Sequence, residues 1–146
     1  MAARIGCGRR AHVDEKMKAL LREAVDVAVV GISDKPERAS HVVAAFLQSK
    51  GYRIIPINPT LKEVLGAACY PSLSAFGRPV DIVDVFRNSE AVPPIVDEAI
   101  AIGAKAVWLQ EGVRNDEAAR KAEEAGLLVV QDLCIKKVLT ALGGRP

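Results

Sequence analysis

The segment Val25-Asp26-Val27-Ala28-Val29-Val30-Gly31 decides the fold class of this chain, because it is a short apolar run that ends at a glycine. Its valines favour a strand, and the scarcity of polar positions indicates a strand that is buried on both faces. Such strands are typical of parallel sheets covered by helices on both sides. Helical patterns flank the segment, and Asp14 and Ser40 are the predicted N-caps of the helices before and after it.

The rest of the chain repeats this alternation. Four further strands are predicted at Tyr52–Ile57, Asp81–Phe86, Ala106–Leu109 and Leu127–Val130. Helices are predicted at Glu15–Glu23, His41–Lys50, Ser89–Ile102, Asn115–Ala125 and Ile135–Leu142, with short helical turns near Lys62–Leu65 and after Pro71. Short strands separated by helices require right-handed crossovers and a parallel sheet. We therefore expect an α/β, Rossmann-like doubly wound fold, with a mostly parallel five-stranded sheet and helices on both faces.

Length and composition exclude several classes of protein. The 146 residues suffice for one domain, which we expect to span residues 14–146 after a frayed N-terminal tail at residues 1–13. Half of the residues are hydrophobic and 26% are charged, which excludes disorder as the overall state. The net charge of +2 argues against a nucleic-acid partner, and no apolar run reaches the roughly 20 residues that a membrane helix needs.

The three cysteines, Cys7, Cys69 and Cys134, form no CxxC pair. This argues against a disulfide framework and a structural zinc site, and it favours reduced thiols in the cytoplasm. Cys134 follows the last strand, where it is either a buried inert thiol or a neighbour of the thiol end of a ligand.

Residues at the ends of the strands are the candidates for a ligand site, because ligands of doubly wound sheets bind outside the carboxyl ends of the strands, near the point where strand order reverses. The candidate binding residues are Gly31, Ile32, Ser33, Asp34, Lys35, Arg38 and Ser40 after the first strand, Asn58 and Pro59 after the second, Phe86 and Arg87 after the third, and Leu109, Gln110, Glu111 and Gly112 at the fourth.

The loop after the first strand predicts an anion site. Ser33, Lys35, Arg38 and Ser40 precede a helix, whose N-terminus offers free N–H groups and the positive end of the helix dipole. Hydroxyl and guanidinium groups would complete a phosphate or pyrophosphate site. The alternative is that Ser40 only caps the helix and that the two cations are solvated.

The absence of two nucleotide-binding motifs narrows the range of possible ligands. The first loop has only Gly31 in place of Gly-x-Gly-x-x-Gly, and Asn58-Pro59 follows the second strand where a dinucleotide site has an acidic residue for the ribose. Both observations disfavour NAD. A Walker loop is absent from the sequence as well.

The residues after the second and third strands each allow two interpretations. Asn58 either bonds its own backbone to shape the turn before Pro59, or the two residues form a wall that packs against an adenine. Arg87 is either a phosphate contact or a partner of Asp84 or Glu90.

Five motifs in this order resemble the CoA-binding domain family, whose best-known members are the N-terminal domains of succinyl-CoA synthetase α subunits. The similarity is greater to the small stand-alone CoA-binding proteins of bacteria. The motifs are Ala28–Arg38 with Ser40, Gly51–Pro59, Pro79–Arg87, Val107–Gly112 and Asp132–Lys136.

The resemblance implies that CoA or an acyl-CoA lies across the first loop, between the ends of the second and fourth strands. By family position, Ser33, Asp34 and Lys35 line the first loop, Asn58 and Pro59 meet the nucleotide, and Leu109, Gln110 and Glu111 line the fourth. Arg87 has no basic counterpart in the ligase, and Leu133 stands where the stand-alone relatives often carry arginine. The chain after Lys137 also departs from theirs.

No catalytic constellation stands out. The two histidines, His12 and His41, have no fixed acid–base partner nearby in sequence, and neither a triad nor a metal-ligand spacing is present. We expect a stand-alone binding, carrier or sensor module without catalysis of its own. The alternatives are an NAD(P)-dependent or acyl-CoA enzyme and a regulatory subunit of a larger complex. The predicted partner is the CoA ligand, with no membrane partner, and a homo-oligomer or a partner subunit is left open.

Overall fold

The main sheet of the protein is parallel and has five strands. The computed structural model describes residues 15–146, so the predictions for residues 1–13, which include Cys7 and His12, and for the Asp14 cap lie outside the described residues. The strands are β1 (Asp26–Val30), β2 (Arg53–Ile57), β5 (Ile82–Val85), β6 (Ala106–Leu109) and β7 (Leu128–Val130), in the order β2-β1-β5-β6-β7. A separate antiparallel hairpin consists of β3 (Glu63–Val64) and β4 (Ala67–Ala68).

Helices cover both faces of this sheet. On one face lie α1 (Glu15–Glu23), α2 (Ala39–Ser49) and α6 (Ile135–Ala141), and on the other lie α3 (Leu73–Phe76), α4 (Val92–Ile102) and α5 (Asp116–Glu124). Two aliphatic cores result, one on each side, which confirms the predicted doubly wound, Rossmann-like architecture. Within the described part of the chain, no helix combines the length and the apolar composition needed to cross a bilayer.

The strand order reverses between β1 and β5. From β1 the chain passes through α2 to β2, and it later returns to β5 on the other side of β1. Val30 pairs with Val85 at the end of this ladder, so that Gly31 and Phe86 emerge from the sheet side by side. This is the crevice in which doubly wound sheets bind their ligands.

The start of α2 differs from the prediction. The helix begins at Ala39, Arg38 occupies the N-cap without a side-chain hydrogen bond, and Ser40 lies within the first turn. The Ser40 hydroxyl oxygen instead accepts the Ser33 N–H at 2.9 Å. The prediction of Ser40 as the N-cap is therefore wrong, because its hydroxyl oxygen bonds to the preceding loop instead of to the N–H groups of the helix.

The region after β2 contains one wrong and one confirmed prediction. The sequence predicts a helical turn near Lys62–Leu65, but Leu65 and Gly66 have φ values of 54° and 77°, and they form the turn of the β3–β4 hairpin. Two consecutive residues with positive φ are typical of a tight hairpin turn and exclude a right-handed helix. The helical turn after Pro71 is confirmed as α3, whose N-cap Ser72 accepts the Ala75 N–H.

The predicted helix over Ser89–Ile102 is divided in the structure. A 3₁₀ turn, Ser89–Ala91, precedes α4, and the Asn88 side chain accepts the Ala91 N–H at 3.0 Å. Asn115, predicted as the first residue of the next helix, is the N-cap of α5. These differences shift the ends of elements and leave the order of the elements unchanged.

Trp108 and Asp84 lie in register on neighbouring strands, and both are fully buried. The Trp108 Nε1–H donates to the Leu133 carbonyl oxygen at 2.8 Å, as expected of a core residue. The two oxygens of Asp84 have no hydrogen-bond partner among the described residues, and burial raises the pKa of this carboxyl well above its ordinary value. The core therefore favours the uncharged form of Asp84.

Candidate functional site

A cleft of about 400 Å³ opens at the carboxyl ends of β1 and β2, beside the reversal point of the sheet. Four of the predicted binding residues line it: Gly31, Asn58, Pro59 and Arg87. The remaining lining residues are Val30, Ile57, Pro71, Ser72, Leu73, Ile95 and Glu98. Apolar walls with a few convergent polar groups are typical of sites for small organic ligands.

Gly31 allows the Arg87 side chain to cross the end of β1. Gly31 has a φ of +87°, and a Cβ there would lie 2.8 Å from the Phe86 carbonyl oxygen and 2.9 Å from Cδ of Arg87. Arg87 forms no ion pair with any described residue, and Asp84 is enclosed in the core. The interpretation of Arg87 as a partner of Asp84 or Glu90 is therefore wrong, and its guanidinium remains available to a ligand.

Asn58 connects the loops that follow β1 and β2. Its Nδ2–H donates to the Ile32 carbonyl oxygen at 2.8 Å, and its Oδ1 accepts the Thr60 N–H at 2.8 Å and the Thr60 hydroxyl at 2.9 Å. The second set of bonds confirms that Asn58 shapes the turn at Pro59. Because the same residue also lines the cleft, its structural role and a contact with a ligand are compatible.

Ser33 organises the loop after β1. Besides the bond to Ser40, the Ser33 hydroxyl oxygen accepts the Lys35 N–H at 3.0 Å, and the Ser33 carbonyl oxygen lies 2.9 Å from Nδ1 of His41. The loop is thereby fixed against the start of α2, whose first turn has no side-chain cap. The N–H groups that a helix leaves unpaired at its start are thus not taken by an N-cap side chain.

The charged side chains of this loop are exposed. Lys35 and Arg38 form no ion pair with a described residue, and Asp34 and Glu37 alternate with them, so the loop has no net charge. An anion would be attracted by the free cations and by the N-terminus of α2 rather than by an excess of charge.

The side chains of Ile32 and Phe86 belong to the core rather than to the cleft. Ile32 is fully buried, and Phe86 is half-buried and packs against the core on the same side of the sheet as α1 and α2.

The predicted residues at the end of β6 are held by α6 and by the loop that precedes it. Leu109 is fully buried, Gln110 accepts the Ile135 N–H through Oε1 at 3.2 Å, and Glu111 pairs with Lys137 at 2.9 Å. The Gly112 N–H donates to the Asp132 carboxylate at 2.7 Å. None of these four predicted residues lines the cleft, and their contact with a ligand stays a prediction.

Comparison of the sequence with models of protein families identifies the family of this chain. One such model describes a CoA binding domain and matches residues 25–140, which include every strand of the sheet and every predicted binding residue. The chain belongs to the CoA-binding domain family. Membership confirms the resemblance inferred from the five motifs.

Similar proteins include both small proteins and parts of large ligases. An uncharacterized protein of Bacillus subtilis is 44% identical over 121 residues, which cover 83% of this chain and 90% of that protein. A hypothetical protein from Pyrococcus horikoshii OT3 has a solved structure with 37% identity and a TM-score of 0.87, and the match covers 99% of both chains. An ADP-forming acetate–CoA ligase of Archaeoglobus fulgidus is 25% identical over 126 residues, 80% of this chain but 18% of the ligase.

Sequence reasoning missed the part of the cleft that α3 and α4 contribute in this CoA-binding domain. These residues, Pro71, Ser72, Leu73, Ile95 and Glu98, do not follow a strand of the main sheet. The available signal was Pro71-Ser72, a turn-forming residue followed by a residue type that favours N-caps. This signal predicts where α3 starts, but it does not indicate the strands beside which α3 packs.

The described cysteines of the CoA-binding domain do not line the cleft. Cys134 is buried at the N-cap of α6, and half-buried Cys69 donates its thiol to the Asn58 carbonyl oxygen at 3.6 Å. Burial raises the pKa of the Cys69 thiol, which disfavours the nucleophilic thiolate. Among residues 15–146, no group of three His, Cys, Asp or Glu side chains is placed to hold a metal ion.

Proposed function

We propose that this protein binds CoA or an acyl-CoA at the carboxyl ends of β1, β2 and β5, as a stand-alone binding, carrier or sensor module without catalysis of its own. The observation that carries the proposal is the cleft beside Gly31 and Arg87, which lies at the reversal point of the sheet in a member of the CoA-binding domain family.

The charges of the site support one orientation of the ligand. The phosphates of CoA would lie over the loop after β1, where Lys35, Arg38 and the N-terminus of α2 are available, and Arg87 would extend this positive region to the edge of the cleft. The apolar walls of the cleft would then enclose the adenine, with Pro59 on one side. In this orientation the phosphates lie against positively charged groups, and the adenine base lies against apolar ones.

The surroundings of the potentially reactive side chains support the proposal that the protein has no catalytic activity of its own. The His41 ring bonds to a backbone carbonyl instead of a carboxylate that would orient it as a base, and Cys134 is buried. The two cysteines in the described residues are free thiols, in agreement with the proposed location in the cytoplasm.

A second candidate role is that of a subunit in an acyl-CoA enzyme made of several chains. It is favoured by the match to acetate–CoA ligases, in which the corresponding region is 18% of a longer chain. In this role the chain would bind the same ligand, and a separate protein would supply the chemistry.

Isothermal titration of the purified protein with CoA and acetyl-CoA tests the proposal. We expect saturable binding of one ligand per chain, and no binding up to millimolar CoA would overturn it. Native mass spectrometry of the protein as purified then separates the two roles. Retained CoA on a monomer or homo-oligomer supports the stand-alone module, whereas a stable complex with a different chain supports the subunit.

A further inference from the structure

Glu98 brings a carboxylate to a cleft whose lining combines apolar and polar residues. It lies in α4, and its Oε1 accepts the Ser74 N–H at 3.0 Å, which fixes the side chain against α3. Glu98 forms no ion pair with a described residue, and no described donor bonds to its Oε2. A carboxylate accepts hydrogen bonds and donates none, so Oε2 remains as an acceptor for whatever occupies the cleft.

The surroundings of Glu98 restrict which part of a ligand can lie there. Ile57, Pro59, Leu73 and Ile95 supply apolar walls suited to a flat heterocycle. A phosphate beside Glu98 would meet a like charge, which is unfavourable, whereas Arg87 and the loop after β1 attract phosphates. The group next to Glu98 is therefore expected to be uncharged and to carry a hydrogen-bond donor.

We propose that Glu98 determines the base specificity of this site, by accepting a hydrogen bond from the exocyclic amino group of a 6-aminopurine and rejecting 6-oxopurines. This inference rests on the proposed CoA-binding function and adds a specificity-determining residue to it. Adenine presents an amino donor at position 6, whereas hypoxanthine and guanine present a carbonyl acceptor at this position. A carbonyl oxygen facing Oε2 would leave two acceptors opposed and unpaired, and such mismatches discriminate strongly in enclosed sites.

The test compares CoA with its deaminated analogue, in which hypoxanthine replaces adenine and all phosphates remain. We expect the native protein to bind CoA at least tenfold more tightly than the analogue in isothermal titration. Glu98→Gln keeps a side-chain oxygen for the Ser74 N–H and turns the other acceptor into an amide donor. We expect this variant to lower the preference to threefold or less, or to reverse it. Glu90→Gln removes the same charge from an exposed position outside the cleft lining, and we expect it to retain the native preference.

The outcomes separate this inference from the function on which it rests. Equal affinities of the native protein for CoA and its analogue would overturn the role of Glu98 and leave CoA binding intact. If folded Glu98→Gln kept the native preference for CoA over the analogue, the role of Glu98 would likewise be overturned. Failure of the native protein to bind either ligand would overturn the proposed function itself. The comparison of the two ligands on the native protein needs no variant, so the inference remains testable if Glu98→Gln does not fold.

Discussion

Cδ of Arg87 lies 2.9 Å from the position that a Cβ on Gly31 would take, so Arg87 can keep its place only if residue 31 has no side chain. The glycine at the end of β1 and the arginine after β5 come from strands that the chain connects through β2 and its loops. The contact therefore explains why the site needs a glycine here even though the Gly-x-Gly-x-x-Gly motif is absent.

Gly31→Ala is expected to destabilise the protein and to weaken CoA binding. The left-handed backbone costs about 1–2 kcal/mol for a residue with a Cβ, and the new Cβ would in addition push against the Phe86 carbonyl and Arg87. Gly126→Ala is the matched control, because Gly126 has a φ of +94° and no atom lies within 4 Å of the position that its Cβ would take. Chemical denaturation should show a larger loss of unfolding free energy for Gly31→Ala, and equal losses would contradict the contact.

Lys35→Ala and Arg38→Ala are each expected to weaken CoA binding by about 1–3 kcal/mol, the scale of a lost charged hydrogen bond. Their ammonium and guanidinium groups have no ion-pair partner among the described residues, so stability should change little. Isothermal titration measures the effect, with exposed Arg120→Ala as the control. Unchanged affinity in both variants would identify these residues as solvated loop charges.

Asn58→Ala is expected to lower stability by about 1–3 kcal/mol, because it leaves the Ile32 carbonyl and the Thr60 N–H without their partner. Thr60→Val removes only the hydroxyl bond to Asn58 and should cost less. Thermal unfolding ranks the two variants, and CoA titration of Asn58→Ala reports on the position of the loop after β1. An equal cost for both variants would show that the bonds of Asn58 to the Ile32 carbonyl and to the Thr60 N–H contribute nothing measurable.

The contribution of Asp84 to the stability of the protein is expected to fall as the pH rises above about 4. Burial raises the pKa of this carboxyl in the folded state, so the folded protein retains a proton that the unfolded chain releases near its ordinary pKa. The contribution is therefore largest at acidic pH, and it decreases by about 1.4 kcal/mol per pH unit until the raised pKa is reached.

Asp84→Asn removes this titration at nearly the same side-chain volume. Its unfolding free energy relative to the native protein should increase with pH across that range. Exposed Glu124→Gln should show no comparable trend. A constant difference between Asp84→Asn and the native protein from about pH 4 to about pH 8 would mean that Asp84 is ionised in the core.

The strand ends could be predicted from the sequence because the signals are local. Runs of β-branched residues, valines before Gly31 and isoleucines before Asn58, mark buried parallel strands, and the site of a doubly wound sheet follows from the order of its elements. The roles of Ser40 and Leu65 could not be predicted this way. Ser40 has the residue type of an N-cap, but its hydroxyl is used by Ser33, and Leu65 adopts a left-handed turn that its type disfavours.

The sequence by itself determined the alternation of strands and helices, the doubly wound fold, the family and the loops that lie at the carboxyl ends of the strands, because periodicity and turn residues act over short distances along the chain. Only the tertiary structure decided that Glu98 lines the cleft, that Arg87 crosses Gly31 and that Asp84 has no hydrogen-bond partner among the described residues of the core. These relationships depend on which strands are neighbours in the sheet and on how the helices pack against its two faces. Packing between elements distant in sequence leaves no periodic signal in the residues that it brings together.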